Sequence, residues 1–317
     1  MRVFTMGLLM LMLILLSGCS QQGGKTAQTS AGQYLVIFSQ CNNAEPYRAA
    51  QNALLTKMFD KYKDVKLVIT DAQQDNAKQI AQIETAIRQK PALLIVAPNE
   101  RAPLTRVMGQ AVAANIPVIC LERDIAEPNY TTFIRCDNRA IGRMAGEFIV
   151  KTLTKKYGEP RGKVVELCGL KGVEAEINRQ GGAHEVFKKY PKIEIVGEAV
   201  ADWLQSKAKD RMTEILSAQP HIDCVYGHND PMAVGAYLAA KDKGREKEMF
   251  FVGVDGLNGE AGGIKKVKDK VLAATFVYPL CVDKAVEIGN KIIHDPSFKP
   301  EKTYVMDSMM ITRDNAK

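Results

Sequence analysis

Polar and aromatic side chains follow several short apolar runs of this 317-residue sequence, at the point where each run ends. Glu122 and Arg123 come directly after one such run, and Asp255 comes directly after another. Carboxylates, amides and guanidinium groups form paired hydrogen bonds with adjacent hydroxyls, because each hydroxyl both donates and accepts. Aromatic rings pack against apolar C–H faces. The candidate binding residues are therefore Ser39, Asn43, Tyr47, Arg48, Glu122, Arg123, Asp137, Arg179, Trp203, Asn229, Asp255 and Tyr278.

A sugar ring offers both adjacent hydroxyls and apolar C–H faces, so sugar binding accounts for this set of side chains. An enzyme is the competing interpretation, because Glu122 and Asp255 could form the carboxylate pair of a glycosidase. The sequence contains no nucleophile elbow and no phosphate-binding loop, and its four histidines are scattered without metal-ligand spacing. We therefore expect binding without catalysis, and neither a metal nor a cofactor.

Strands and helices that could position these side chains are predicted from residue 33 onward. Short β-rich runs such as Tyr34–Ser39 and Leu93–Val96 alternate with helical patterns, for example Ile80, Ile83 and Ile87. The same alternation starts again in the second half of the chain. Strands separated by such helices predict parallel sheets, here two doubly wound α/β lobes. In such sheets ligands bind at the carboxyl ends of the strands, where the candidate residues lie.

The first residues of the chain predict export. The apolar run Met6–Leu16 is too short to span the ~30 Å hydrocarbon core of a bilayer as a permanent helix. It ends in Leu16–Cys19 (LSGC), which resembles the lipobox of bacterial lipoproteins. We therefore expect a lipoprotein signal peptide over 1–18 and a flexible polar tether over 19–32. The protein would be periplasmic or on the cell surface, anchored to a membrane through a lipid on Cys19.

Charge and cysteine content exclude some classes of partner and leave others open. The formal net charge is +7, but the basic residues are spread among acidic ones, so we expect no nucleic-acid partner. Six cysteines remain besides Cys19, an even number that is compatible with disulfides in an exported protein. Several, including Cys120 and Cys136, lie in or beside apolar strand-like runs, which favours buried free thiols.

Several segments of the chain, taken together, are specific to one family. Between about residues 33 and 312 the chain resembles the periplasmic sugar-binding proteins of ABC importers. These form the type I group that includes ribose- and galactofuranose-binding proteins. The matching segments are FSQ (38–40), YRAA (47–50), IPVICLER (116–123), CDNRAIGRMAGEFIV (136–150), KVVELCGLKG (163–172), INRQGGAHEVF (177–187), VADW (200–203), YGHNDPMAVGA (226–236) and FVGVDG (251–256).

The resemblance implies two lobes joined by a three-strand hinge, with the ligand cleft between them. The N-terminal lobe would comprise 33–139 plus 279–301, and the C-terminal lobe 140–278 plus 302–317. The chain would cross between the lobes near Arg139, Tyr278 and Lys302.

The resemblance also implies which residues line the sugar pocket and which partners the protein has. It implies a monomer that captures a monosaccharide, a pentose or a hexose, and delivers it to the permease subunits of an ABC importer. The alternative is presentation of the closed form to a chemoreceptor or a histidine kinase, because either partner would bind the lobe surfaces. The pocket residues implied by the resemblance are Tyr47, Arg48, Glu122, Arg123, Arg179, Trp203, Asn229, Asp255 and Tyr278.

Several positions depart from the family pattern and leave the identity of the sugar open. Glu122 stands where relatives usually carry Asp, and Ala97 stands where ribose binders place Asn. Other candidates have structural alternatives. Asp137 and Asn229 also suit helix capping, and Tyr278 also suits a hinge, because the proline after it restricts its backbone.

Overall fold

The computed structural model describes residues 32–317 of the chain. The expected signal peptide, Cys19 and all but the last residue of the expected tether lie outside the described residues. Within the described part, strands and helices alternate along the chain, as the apolar pattern predicts.

The first lobe is built around a six-stranded parallel sheet. Its elements are β1 (Tyr34–Gln40), α1 (Pro46–Phe59), β2 (Val65–Asp71), α2 (Asn76–Gln89), β3 (Leu93–Val96), α3 (Arg101–Ala113), β4 (Val118–Leu121), β5 (Thr132–Cys136), α9 (Val282–His294) and β11 (Thr303–Met306). The strand order is β11-β5-β4-β3-β1-β2. The residues of β3 and β4 are apolar and completely buried, as expected for a parallel sheet that helices cover on both faces.

The second lobe repeats this architecture with its own six-stranded sheet. Its elements are α4 (Asn138–Tyr157), β6 (Gly162–Cys168), α5 (Glu174–Phe187), β7 (Ile193–Val200), α6 (Gln205–Ala218), β8 (Cys224–Gly227), α7 (Asp230–Asp242), β9 (Phe250–Val252), α8 (Gly263–Lys268), β10 (Ala274–Phe276) and β12 (Met310–Thr312). The strand order is β12-β10-β9-β8-β6-β7, and only β12 is antiparallel to its neighbour among these strands. The predicted fold class, two doubly wound α/β lobes, is confirmed.

Between residues 32 and 317 the chain passes three times from one sheet to the other. The first passage lies between β5 and α4, the second between β10 and α9, and the third between β11 and β12. The third corrects the expected crossing near Lys302, because Thr303 pairs with Phe133 at the edge of the first sheet. The chain therefore crosses only after Met306, and residues 303–306 do not belong with the second lobe.

Each sheet reverses its strand order beside its first strand. β1 lies between β2 and β3, and β6 lies between β7 and β8. A crevice opens where strand order reverses, outside the carboxyl ends of the strands. The two crevices face each other across the hinge. The residues that follow β1 lie at the first crevice, and the residues that follow β6 lie at the second.

The cysteines and helices of the described region add two observations. All six cysteines between residues 32 and 317 are buried, and none of them is in a disulfide, which agrees with the expectation of buried free thiols. Within the same range no helix combines the length and the apolar character needed to span a bilayer.

Candidate ligand-binding site

A small cavity of about 10 Å³ lies between the lobes, at the carboxyl ends of the strands of both sheets. Polar and aromatic side chains dominate its wall, and both lobes contribute to it. The lining residues are Glu45, Tyr47, Arg48, Glu122, Arg123, Ala175, Arg179, Trp203, Asn229, Asp255 and Tyr278.

The first lobe contributes a network of alternating charges. Arg48 donates from Nη1 to Glu122 Oε2, and Arg123 Nη2 lies 3.6 Å from Glu45 Oε1. Asn42 donates to the same Glu45 oxygen at 2.7 Å, so the carboxylate is engaged on both sides. All of these side chains are almost completely buried. Burial is only possible because each charge has an opposite charge or a hydrogen-bonding partner nearby.

Glu122 occupies the centre of this network. Burial disfavours its ionised form, but the charges of Arg48 and Arg123 outweigh burial and hold the pKa of Glu122 below its usual value. The backbone of Glu122 has φ +67°, a left-handed conformation that is uncommon for residues other than glycine. This strained turn after β4 directs the carboxylate into the cleft, where it stays ionised at neutral pH.

Two tyrosines connect the first lobe to the hinge. Tyr278, on the second crossing segment, donates its hydroxyl to Glu122 Oε1 at 2.9 Å. Tyr47, in the first turn of α1, donates its hydroxyl to the carbonyl of Pro279 at 2.8 Å. The two ring centroids lie 5.2 Å apart. The rings therefore form an apolar wall of the cavity, while their hydroxyls fix the hinge segment to the first lobe.

Arg179 projects from α5 of the second lobe. A Cβ atom on Gly142 of α4 would overlap the carbonyl of Arg179, so the glycine allows the two helices to pack closely here. The guanidinium donates from Nε to Asn138 Oδ1 at 2.9 Å and from Nη1 to the carbonyl of His228. It lies 4.3 Å from the ring centroid of Tyr278. No acidic side chain among residues 32–317 lies within ion-pairing distance of it.

Trp203 follows β7 in a left-handed turn with φ +70°. Its ring covers the backbone of Gly169, where a Cβ atom would overlap the indole. The guanidinium of Arg123, from the opposite lobe, lies 5.7 Å from the ring centroid, and the side chain is only 3% exposed. Trp203 therefore presents a flat face to the cavity and contacts the first lobe when the lobes are together.

Asn229 and Asp255 complete the second wall. Asn229 caps α7, because its Oδ1 accepts from the backbone N–H of Met232 at 2.9 Å, and its amide also donates to the carbonyl of Trp203. Its capping and cavity-lining roles therefore coexist. Asp255 accepts no hydrogen bond through its side chain from residues 32–317. Burial, together with the charge of Asp230, raises the pKa of Asp255 well above its usual range.

The lobes are closed over the cavity. Gln74 of the first lobe donates to the carbonyl of Asp202 in the second lobe at 3.5 Å. Arg135, on β5, lies 3.7 Å from the carboxylate of Glu174 at the start of α5. Both contacts join the two lobes outside the cavity wall.

The structure brings nine of the twelve candidate residues to the cavity and leaves three elsewhere. Ser39 lies beneath the loop after β1, where its oxygens accept from Gln79. Asn43 is exposed, and its Oδ1 accepts from Asn52. Asp137 caps α4 by accepting from the backbone of Ala140, which is the structural alternative for this residue.

Two cavity residues, Glu45 and Ala175, are absent from the sequence-based set. Glu45 directly precedes Pro46 at the start of α1, so its position predicts a helix cap, yet its side chain makes no capping bond. The only signal in the sequence was Arg48, three positions after Glu45, because the approach of Arg123 appears only in the folded protein. Ala175 carries no functional group that a sequence pattern could reveal.

A second polar cluster lies within the second lobe, outside the cavity wall. Ligand atoms of Glu166, Cys168 and His228 lie within 4.8 Å of one another, a grouping that sequence spacing did not reveal. Each oxygen of Glu166 is bonded to an imidazole, one to His228 at 2.9 Å and the other to His184 at 2.7 Å. Burial opposes ionisation of Glu166, but these bonds lower its pKa to about 2. Both oxygens of Glu166 are thus satisfied, whereas Nδ1 of His228 is buried without a hydrogen-bonding partner among residues 32–317.

Comparisons with known proteins agree with this arrangement. The sequence profile of the periplasmic binding protein domain matches residues 36–281. The chain is 30% identical to the ribose import binding protein of Bacillus subtilis, over 90% of this chain and 92% of that protein. It is 29% identical to the galactofuranose-binding protein of Escherichia coli, over 90% of each chain.

A solved structure, the fructose-binding periplasmic domain of a hybrid two-component system, is also similar. It is 36% identical, has a TM-score of 0.84, and the match covers 90% of this chain and 92% of that one. The profile match extends over more than half of the sequence, and the ribose-binding relative aligns along nearly all of both chains. The resemblance inferred from the sequence is thereby confirmed: the chain belongs to the periplasmic binding protein family.

Proposed function

We propose that this chain is the extracytoplasmic binding component of a sugar importer. It captures one monosaccharide, a pentose or a hexose, between its lobes and delivers it to the permease subunits of an ABC transporter. The observation that carries the proposal is the wall of the cavity between the lobes, which combines arginines, carboxyl groups and an amide with three aromatic rings. These groups match alternating hydroxyls and C–H faces of one sugar ring.

Import is favoured by the names of the relatives. The Bacillus subtilis relative is described as a ribose import binding protein, and the alignment covers nearly the whole of both chains. In such a mechanism the ligand stabilises the closed form, because only that form contacts the sugar from both lobes. The permease then recognises the relative position of the two lobe surfaces, and a monomer suffices for this task.

A sensory role is the second candidate, and one observation favours it. The similar fructose-binding structure is the periplasmic domain of a hybrid two-component system, which supports a sensory role for this chain. The two roles predict different neighbours in the genome. Genes for a permease and an ATPase beside this one support import, whereas a histidine-kinase gene beside it supports sensing.

The lipobox-like segment Leu16–Cys19 motivates the proposal that the protein is a lipoprotein held at a membrane. In that case Cys19→Ala releases the protein from the membrane fraction or leaves it unprocessed with its signal attached. Cys41→Ala, in the folded body, is the matched control and should fractionate like the wild type. Normal maturation and membrane association of the Cys19 variant would remove the anchor from the proposal.

A thermal-shift panel tests the sugar proposal directly. The panel contains pentoses, hexoses in both ring forms, and inositol as a related polyol. A true ligand at about 100 times its Kd should stabilise the protein by about 2.7 kcal/mol, and calorimetry should then return one site per chain. If no sugar raises the unfolding temperature, and the protein carried no co-purified ligand, the proposal fails.

A further inference from the structure

Asp255 stands at a backbone position that needs external support. Its φ is +138°, a conformation that residues with a side chain rarely adopt. Its N–H donates to the carbonyl of Phe276 at 3.0 Å, and its own carbonyl accepts from Tyr278 at 2.9 Å. These bonds fix the peptide groups of Asp255 to the neighbouring strand. Of the two flanking residues, Gly256 also donates its N–H to Thr275 Oγ1 on that strand at 3.1 Å.

Asp230, the first residue of α7, holds both flanking residues. Its backbone N–H donates to the carbonyl of Val254 at 2.6 Å. Its carboxylate Oδ2 accepts from the backbone N–H of Gly256 at 2.9 Å. One aspartate therefore bonds to the residue before Asp255 and to the residue after it, across a gap of 26 positions in the sequence.

The surroundings of the Asp230 carboxylate are shaped to enclose it. A Cβ atom on Gly253 would overlap Oδ1, and a Cβ atom on Gly263 would overlap Oδ2. Both glycines thus leave room for a carboxylate that is 4% exposed and does not line the cavity. Oδ1 has no hydrogen-bonding partner among the described residues, although it is fully buried. The Asp230 carboxylate is therefore placed to support the backbone beside Asp255 rather than to contact a ligand.

We propose that Asp230 is a positioning residue of the binding site: it holds the Val254–Gly256 corner so that the Asp255 carboxyl group faces the ligand. The inference rests on the proposed function, because Asp255 matters here as an acceptor for ligand hydroxyls. Asp230 itself does not touch the ligand.

The charges around Asp255 also link its ionisation to Asp230. Burial raises the pKa of Asp230 to about 6. Burial and then the charge of Asp230 raise the pKa of Asp255, with a further small increase from Glu45, while Arg179 and Arg48 lower it. Ionised Asp255 can accept a hydrogen bond from a ligand hydroxyl. Sugar affinity should therefore be present above the raised pKa of Asp255 and fall as the pH falls through that pKa.

The test compares three variants with the wild type by calorimetry between pH 5 and 8. Asp230→Asn keeps the shape and the acceptor for Gly256 but removes the charge, so the pH midpoint of sugar affinity should move to lower pH. Asp230→Ala removes the bond to Gly256 as well, so affinity should fall on the order of tenfold or more at every pH. Asp242→Asn, at the exposed end of the same helix, is the matched control and should leave both quantities unchanged.

A measurement without ligand separates this inference from the proposed function. Hydrogen exchange of the Gly256 amide in the free protein should be faster in Asp230→Ala than in the wild type, whereas the amides of β6 should keep their wild-type rates. If Gly256 exchange is unchanged in a folded variant, Asp230 does not hold the corner. If the wild type binds no sugar, the proposed function fails, and exchange still reports on the corner. An Asp230→Asn variant with a wild-type pH profile would overturn the electrostatic part.

Discussion

The two walls of the cavity are built on different electrostatic principles. In the first lobe Arg48 and Arg123 are paired with Glu122 and Glu45 before any ligand arrives. In the second lobe Arg179 lies against aromatic rings and bonds to neutral acceptors instead. The first wall is therefore a neutralised network of charges, whereas the cation of the second wall, Arg179, has no acidic partner within the part of the chain that the structure describes.

This difference predicts that substitutions in the first wall mainly affect the stability of the fold, whereas substitutions in the second wall mainly affect ligand binding. Breaking a buried ion network leaves an uncompensated charge, and the folded protein is destabilised even without ligand. Removing a buried cation that has no paired anion leaves no stranded charge, so the loss should appear mainly in ligand binding. Substitutions in the two walls should consequently give opposite patterns of stability and affinity.

The largest expected effect is on stability, from Glu122→Gln in the first wall. The amide keeps the shape but leaves Arg48 and Arg123 with only Glu45 as an anion. We expect the free energy of unfolding to fall by about 3–5 kcal/mol, measured by urea denaturation of the ligand-free protein. Because the folded-state pKa of Glu122 lies below its usual value, the wild type should lose this contribution as the pH falls through that lowered pKa.

The matched control for this substitution is Glu185→Gln. Glu185 also pairs with an arginine, Arg139, but it does so on the protein surface, where solvent screens the charges. Little change in unfolding is expected there. Equal stability losses at the two positions would contradict the assignment of a stabilising role to the buried network.

The next effect is on affinity, from Arg179→Ala in the second wall. The variant should fold normally but lose about 2–4 kcal/mol of sugar-binding free energy in calorimetry. Arg179→Lys should also bind more weakly, because a point charge does not replace a planar guanidinium. Arg211→Ala, on the exposed surface of α6, is the control. An Arg179→Ala variant with wild-type affinity would take this residue out of the site.

Trp203 should give a smaller loss together with an optical signal. It is the only tryptophan of the chain, so fluorescence excited at long ultraviolet wavelengths reports on this ring alone. Trp203→Ala should lose about 1–2 kcal/mol of affinity, and Trp203→Phe much less, because a flat ring remains. In the wild type, ligand should shift the emission to the blue with the Kd that calorimetry gives. Emission that is already blue-shifted without ligand, and that does not change when a confirmed ligand binds, would indicate a purely structural tryptophan.

The smallest expected effect is from Gln74→Ala, which removes a hydrogen bond between the lobes without touching the cavity wall. Affinity should decrease by less than about 1 kcal/mol, since only the closed state loses the bond. Small-angle scattering should show a smaller radius of gyration with ligand in both proteins. Gln82→Ala is the control, because Gln82 bonds within its own lobe. A larger loss than that of Trp203→Ala would mean that lobe contacts outweigh the cavity wall.

Much of this arrangement could be predicted from the sequence, because parallel strands are continuous apolar runs and their carboxyl ends mark the binding edge. Glu122, Arg123 and Asp255 directly follow such runs, and the fold brings all three to the cavity. Whether they contact a ligand remains a prediction. Asp137 also follows a strand, yet the helix that begins after it uses its side chain as a cap.

Other features depend on contacts between distant parts of the chain. The role of Asp230 becomes visible only when Gly253 and Gly263 are folded around it. The position of the third crossing depends on whether a short half-exposed strand, β11, joins β5 or β12. Its alternating burial gives no core pattern that could identify its partner, and edge strands rarely do.

The placement of β11 and β12 has a consequence for biogenesis. Each sheet receives one edge strand from the last part of the chain, β11 beside β5 and β12 beside β10. During translation neither sheet can therefore be completed until Met306 and Thr312 have left the ribosome. Pairings between such distant segments form slowly, because the intervening chain must be closed into a loop first. The nascent protein should thus remain unfinished, and competent for threading through a translocation channel, until β11 and β12 have both been synthesised.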